Sequence, residues 1–190
     1  MFEKLNTALS ENKPLRFLDF TNEEDKELSS FGLLTRKPLL TVFNLGEAQS
    51  APDLSLDHPS VALMCKLEME IAQLSAEDAE VFMAEYGIKE LSLNRMINLS
   101  YELLKEQTFF TVGEDEVRAW VTHRGATAQE AAGEIHTDLS RGFVRAEVVA
   151  YEDLTNLGSM NEAKAKGKFR LEGKEYIVKD GDIMHVRSSL

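Results

Sequence analysis

The chain holds one cysteine, Cys65, in 190 residues, so no internal disulfide can staple it. No C-x-x-C or H-E-x-x-H spacing occurs, and neither a structural nor a catalytic zinc site is expected. Long apolar runs are missing as well, and the opening Met1-Phe2-Glu3-Lys4-Leu5-Asn6 lacks the basic and then apolar blocks of a signal peptide. These absences predict a cytoplasmic protein in a reducing compartment, with no membrane contact. Positive charge is scarce: 21 Lys and Arg face 33 Asp and Glu, a net charge of −12. Such a chain repels a phosphate backbone at long range, so DNA is not an expected partner, and RNA is one only where basic residues concentrate locally. What is present suffices for a core. With 43% hydrophobic residues, a chain of this length can bury roughly 70% of its unfolded surface.

Charge divides the chain unevenly. Residues 1–107 hold 10 basic against 19 acidic side chains, whereas residues 108–190 hold 11 against 14. The first part reads as mostly helical. Residues 3–10 and 22–34 form short polar helices, the second opened by Thr21-Asn22-Glu23-Glu24, and Lys13-Pro14 separates them. Leu39-Leu40-Thr41-Val42-Phe43 is a β-rich apolar run, followed by a loop from Ala48 to Pro59. Val61-Ala62-Leu63-Met64-Cys65 reads as a strand leading into a helix, with Cys65 buried and inert. A capping box, Ser75-Ala76-Glu77-Asp78, starts a helix whose Phe82, Met83 and Tyr86 point inward. A third helix, from about Ser92 to Lys105, turns Leu93, Met96, Ile97, Ser100, Leu103 and Leu104 to the core.

From Thr108 the hydrophobic period changes to two. Residues 108–112 and 117–122 read as a hairpin around Gly113-Glu114-Asp115-Glu116. Thr127-Ala128-Gln129-Glu130 caps a short helix, residues 143–149 alternate as a strand, and further strands are predicted at 168–171, 175–178 and 183–187. A hairpin, a helix and further strands describe an α+β domain with a helix packed on a mixed sheet.

The run Gly125-Ala126-Thr127-Ala128-Gln129-Glu130-Ala131-Ala132-Gly133-Glu134-Ile135-His136-Thr137-Asp138, followed by Arg141-Gly142-Phe143-Val144-Arg145-Ala146-Glu147-Val148, resembles the TGS-like β-grasp domain of YchF-type, or Obg-like, ATPases. Leu171-Glu172-Gly173-Lys174-Glu175-Tyr176-Ile177-Val178-Lys179-Asp180-Gly181-Asp182 extends the likeness. The resemblance implies a β-grasp domain at residues 108–190, preceded by a helical segment, residues 1–107, that retains a strand of the family's nucleotide-binding domain. Lys37 to Glu47 looks like that family's base-reading strand, with Asn44 and Glu47 at the positions of its N-x-x-E motif. An amide and a carboxylate can read a purine edge through paired hydrogen bonds.

The phosphate-binding loop of such an ATPase is missing. No G-x-x-x-x-G-K-[ST] stretch exists here to offer backbone N–H groups, a lysine and a Mg²⁺-binding hydroxyl to a nucleotide. No catalytic residues and no enzymatic activity are therefore expected. No cofactor is required, ATP or GTP at Asn44 and Glu47 being the one candidate. The loop at 48–59 stands where the family continues with a helix, which predicts a naturally reduced relative rather than a simple truncation. The strand at 39–43 then needs new neighbours. It must pair with residues 61–65, dock on the C-terminal sheet, or be covered by another chain, for which a homodimer through residues 38–65 is the expected form.

His136, Thr137 and Asp138 match the family's I-H-T-D turn and read as structural, since no nucleophile is positioned beside them. Lys164, Lys166, Lys168 and Arg170 form the densest basic stretch, and with Arg141 and Arg145 they are the candidate surface for RNA or another polyanion. The resulting expectation is a non-catalytic regulatory or interaction module whose β-grasp domain meets a protein, ribosomal or RNA partner. The alternative is a nucleotide-binding remnant that senses ATP or GTP or modulates a full-length ATPase in trans.

Overall fold

A computed structural model describes all residues of the chain except Leu54, Lys89, Glu114 and Leu190. The chain divides into two compact units, Met1–Ile97 and Asn98–Leu190.

In the first unit, α1 (Phe2–Ser10) and α2 (Asn22–Ser29) close a small core around Leu5, Ala8, Leu15 and Leu28. Thr21 and Glu24 form the reciprocal capping box that starts α2, each side chain accepting the other's backbone N–H. Strand β1 (Thr41–Asn44) then pairs in parallel with β2 (Ser60–Leu63), in register Thr41 to Ser60 through Asn44 to Leu63. Pairing with the second apolar run is thus the observed member of the three alternatives for β1. The next elements are α3 (Cys65–Ile71), α4 (Ala76–Glu85) and α5 (Ser92–Leu104), the last running across the division into the second unit.

Two expectations for this region fail. Cys65 is exposed, because it opens α3 while Leu67 and Ile71 take the inward positions. No residue of α4 or α5 is fully buried: Phe82, Leu93, Ile97 and Leu104 are exposed, as is Tyr86 just after α4, while Ala79, Met83, Met96, Ser100 and Leu103 are half-buried. The apolar stripes exist as the helical period requires, but periodicity says which face is apolar and not what covers it.

The second unit is a five-stranded mixed sheet in the order β4-β3-β7-β5-β6. The hairpin of β3 (Glu106–Val112) and β4 (Val117–His123) pairs Phe109 with Trp120. Its turn includes Glu114, which lies outside the described residues. Helix α6 (Ala128–Ile135), opened by the Thr127 and Glu130 capping box, presents Ala128, Ala131 and Ala132 to the protein interior. Their small side chains let the helix approach the sheet closely, over a core of Phe109, Ala146, Val148, Val178 and Met184.

Helix α7 (Thr137–Arg141) leads into β5 (Phe143–Ala150). Helices α8 (Tyr151–Leu157) and α9 (Met160–Ala165) form a second core with Val149, Ile183 and Phe110. Edge strand β6 (Arg170–Glu172) and the central strand β7 (Asp182–Ser188) complete the sheet. Residues 175–178, expected as a strand, join no ladder: Glu175 lies in a turn and Ile177 makes an isolated antiparallel bridge to Thr127. Their backbone instead bonds the entry to α6, with Ala128 N–H donating to Tyr176 O at 2.7 Å and Val178 N–H donating to Ala126 O at 3.0 Å. The Gln107 side chain takes the Val178 carbonyl at 2.8 Å, so this buried backbone is satisfied without a strand partner.

Candidate functional site

Asn44 ends β1 at the carboxyl edge of the parallel pair, the edge where open α/β sheets bind ligands. Its side-chain Oδ1 already accepts the Cys65 N–H at 3.3 Å, tying the strand end to the start of α3. Glu47 is exposed in the turn that follows, where Gly46 N–H donates to Gln49 Oε1 at 2.8 Å and Gln49 N–H returns to Gly46 O at 3.0 Å. A relay not foreseen in the sequence secures the other end of this loop. Thr41 Oγ1 lies 2.8 Å from His58 Nε2, and His58 Nδ1 lies 2.8 Å from Asp57 Oδ1. These two contacts fasten the loop to β1.

A half-open groove of about 360 Å³ lies within the first unit, lined by Met64, Glu68, Tyr86, Ile88, Ser92 and Arg95 among others. Glu68 joins its two sides by accepting from both the backbone N–H and the hydroxyl of Ser92 at the start of α5. A carboxylate in that position satisfies orphan donors and suits the positive end of the helix.

Among the basic residues of the second unit, Arg170 is set apart from Arg145. Arg170 points into the domain, where Nη2 donates to the Tyr176 hydroxyl at 3.1 Å and to Asp182 Oδ1 at 3.4 Å. Asp182, 2% exposed, also accepts from Tyr176 OH at 2.7 Å and from Lys179 N–H at 2.9 Å. Burial, then the hydrogen bond and charge of Asp182, push the Tyr176 phenol up to about 12. Burial pulls the Arg170 guanidinium down, but Tyr176 and the two carboxylates Asp182 and Glu172 outweigh it and hold the group above its ordinary value. This is a structural network. Lys168 is engaged by Asp153 at 3.1 Å, Lys164 sits 4.8 Å over the Phe169 ring, and Lys166 is exposed as the C-cap of α9.

Arg141 and Arg145 occupy a different place. β6 sets Arg170 beside Val148, three positions along β5 from Arg145. That is roughly 10 Å away and on the opposite face of the sheet. Arg145 instead lies directly across from Arg187 of β7, and both are exposed. Arg187 was not singled out from the sequence. Its signal was the alternation of the last strand, which sets Arg187 and His185 on one face, but a single strand cannot show which residue stands across from it. Arg187 also pairs with Glu147, the cross-strand neighbour of His185. Arg141, 77% exposed, reaches Asp138 at 3.9 Å at the same end of β5. His136 accepts the Asp138 N–H at 3.2 Å and caps α7, the structural part expected of it.

Residues 107–189 match the family model YchF-GTPase_C, described as a protein of unknown function (DUF933). The chain is 44% identical to the ribosome-binding ATPase YchF of Bacillus subtilis, over 98% of this chain and 55% of that protein. It is 42% identical to the Haemophilus influenzae protein of the same name, over 98% and 54%. The chain thus spans about half the length of the curated relatives it matches. Among solved structures, the Schizosaccharomyces pombe YchF GTPase superposes with a TM-score of 0.82 at 30% identity, over 97% of this chain and 53% of that one.

Proposed function

With residues 107–189 forming the C-terminal domain of the YchF family, we propose that this chain is a non-catalytic interaction module that associates with the ribosome through its β-grasp domain. The observation that carries this reading is the match, over nearly the whole chain, to relatives named as ribosome-binding ATPases, in a sequence with no phosphate-binding loop. The module works in the cytoplasm by occupying a ribosomal surface. Cosedimentation with purified ribosomes through a sucrose cushion tests it: the chain is expected in the pellet, and a chain that stays in the supernatant at low salt ends the proposal. A phosphate-release assay with ATP and GTP is expected to show no turnover above background.

Nucleotide sensing is the second reading, and the placement of Asn44 and Glu47 after the carboxyl end of a parallel strand favours it. Asn44 offers its Nδ2 donor to a base while Oδ1 holds Cys65. Titration calorimetry with millimolar ATP and GTP decides this, since absence of heat from both dismisses the site.

A further inference from the structure

Two arginines stand side by side on an uncovered part of the β-grasp sheet. Arg145 and Arg187 are cross-strand partners. Paired residues on adjacent antiparallel strands lie roughly 5 Å apart at Cα, and like charges set directly opposite each other are unfavourable. Nothing on the protein neutralises Arg145, which has no ion-pair partner among the described residues. Arg187 is held from one side by Glu147, yet its side chain remains 61% exposed. A register irregularity between Phe143 and Arg145 immediately precedes the pair. Such bulges re-aim the side chains that follow them.

The rest of the domain leaves this place open. Helix α6 covers the opposite face, over Ala146, Val148 and Met184. Helices α8 and α9 share the face of Arg145 but cover its far end, over Val149 and Ile183. What remains is Arg145, Arg187, the exposed His185 between β5 and β3, and Arg141 at the entry of β5. A strand that only had to be solvated would be better served by an acid across from Arg187. The repulsive pair makes sense when an anion completes it, and two adjacent guanidinium forks suit the oxygens of a phosphodiester chain.

Resting on the reading of ribosome association, we propose that Arg145 and Arg187 on the open sheet face grip the phosphate backbone of ribosomal RNA, while the run from Lys164 to Arg170 does not. Arg170 is held by Tyr176 and the buried Asp182, on the face of the sheet opposite Arg145.

The test is filter binding of the full chain to protein-free ribosomal RNA from 50 to 200 mM KCl, beside cosedimentation with intact ribosomes. Arg145→Gln is expected to weaken RNA binding about tenfold at the middle of that range and to reduce the slope of log affinity against log salt by about 1. Arg145→Glu is expected to weaken it further while raising the melting temperature, because it turns a repulsive cross-strand pair into an attractive one. A Lys164→Gln, Lys166→Gln double variant stays within about twofold of the parent, since neither lysine belongs to the phosphate-gripping pair. An unchanged salt slope for Arg145→Gln overturns the proposal. So does a parent chain that pellets with ribosomes but ignores protein-free RNA, and that result leaves ribosome association standing with a protein as the contact. A parent that does not pellet with ribosomes removes the underlying reading itself.

Discussion

The two units solve the burial problem differently. In Asn98–Leu190 the sheet has helices on both faces, and Phe109, Ala128, Ala131, Ala146 and Val148 are fully buried. In Met1–Ile97 the main buried cluster is four side chains between short helices, the only sheet among the described residues is one parallel pair, and α4 has no fully buried residue. A parallel two-stranded sheet is a weak element by itself. Its β1 carries Val42 exposed, although β2 turns Val61 and Leu63 inward. The difference shows that similar amounts of apolar sequence can yield a closed core or a set of uncovered stripes, depending on whether layers exist on both sides.

Substitution of matched phenylalanines breaks or sharpens that comparison most strongly. Phe109→Ala removes a ring that is 0% exposed and is expected to cost about 3–5 kcal/mol in urea unfolding of the second unit. Phe82→Ala, at a ring 40% exposed, should cost less, about 1–2 kcal/mol. Equal costs at the two sites would mean that α4 is covered in solution. Next comes Asp182→Ala, which removes the buried acceptor shared by the half-buried Tyr176 hydroxyl and Arg170 and by the Lys179 N–H, and is expected to lose about 1–2 kcal/mol by the same measurement.

The pH dependence of the second unit is a smaller effect with a definite sign. The folded state holds the Tyr176 proton more tightly than the unfolded chain does, with the phenol raised from 10.0 to about 12. That contribution is complete below pH 10 and disappears as pH rises from 10 to 12. For a half-buried phenol screened by solvent it amounts to about 1 kcal/mol. Thermal melts across that interval should fall more steeply for the parent than for Tyr176→Phe, and parallel curves would show the network to be solvated. The smallest effect is Arg145→Glu, expected to stabilise the second unit by about 0.5 kcal/mol in urea unfolding. A loss of stability there would show that the repulsion inferred from the cross-strand register is not felt.

Much of the second unit was legible because its signals are local. The capping box at Thr127 and Glu130, the alternation in 143–149 and the hairpin at 108–122 each act within a few residues, and each element formed where its pattern stood. Residues 175–178 misled because an alternating segment looks the same whether it joins a ladder or makes one bridge beside a helix entry. The basic residues misled for a related reason. Proximity in sequence joined Lys164 to Arg170, whereas β6 turns Arg170 inward and the antiparallel register brings Arg187 to Arg145 from 42 positions away.

By itself the sequence determined the absence of a phosphate-binding loop, the period of each element and the family of its C-terminal domain, since all three are read along the chain. Only the tertiary structure decided which apolar stripes are buried, which cations are consumed by internal carboxylates and which two arginines stand together. Those properties depend on distances between segments remote in sequence, and local composition holds no measure of them.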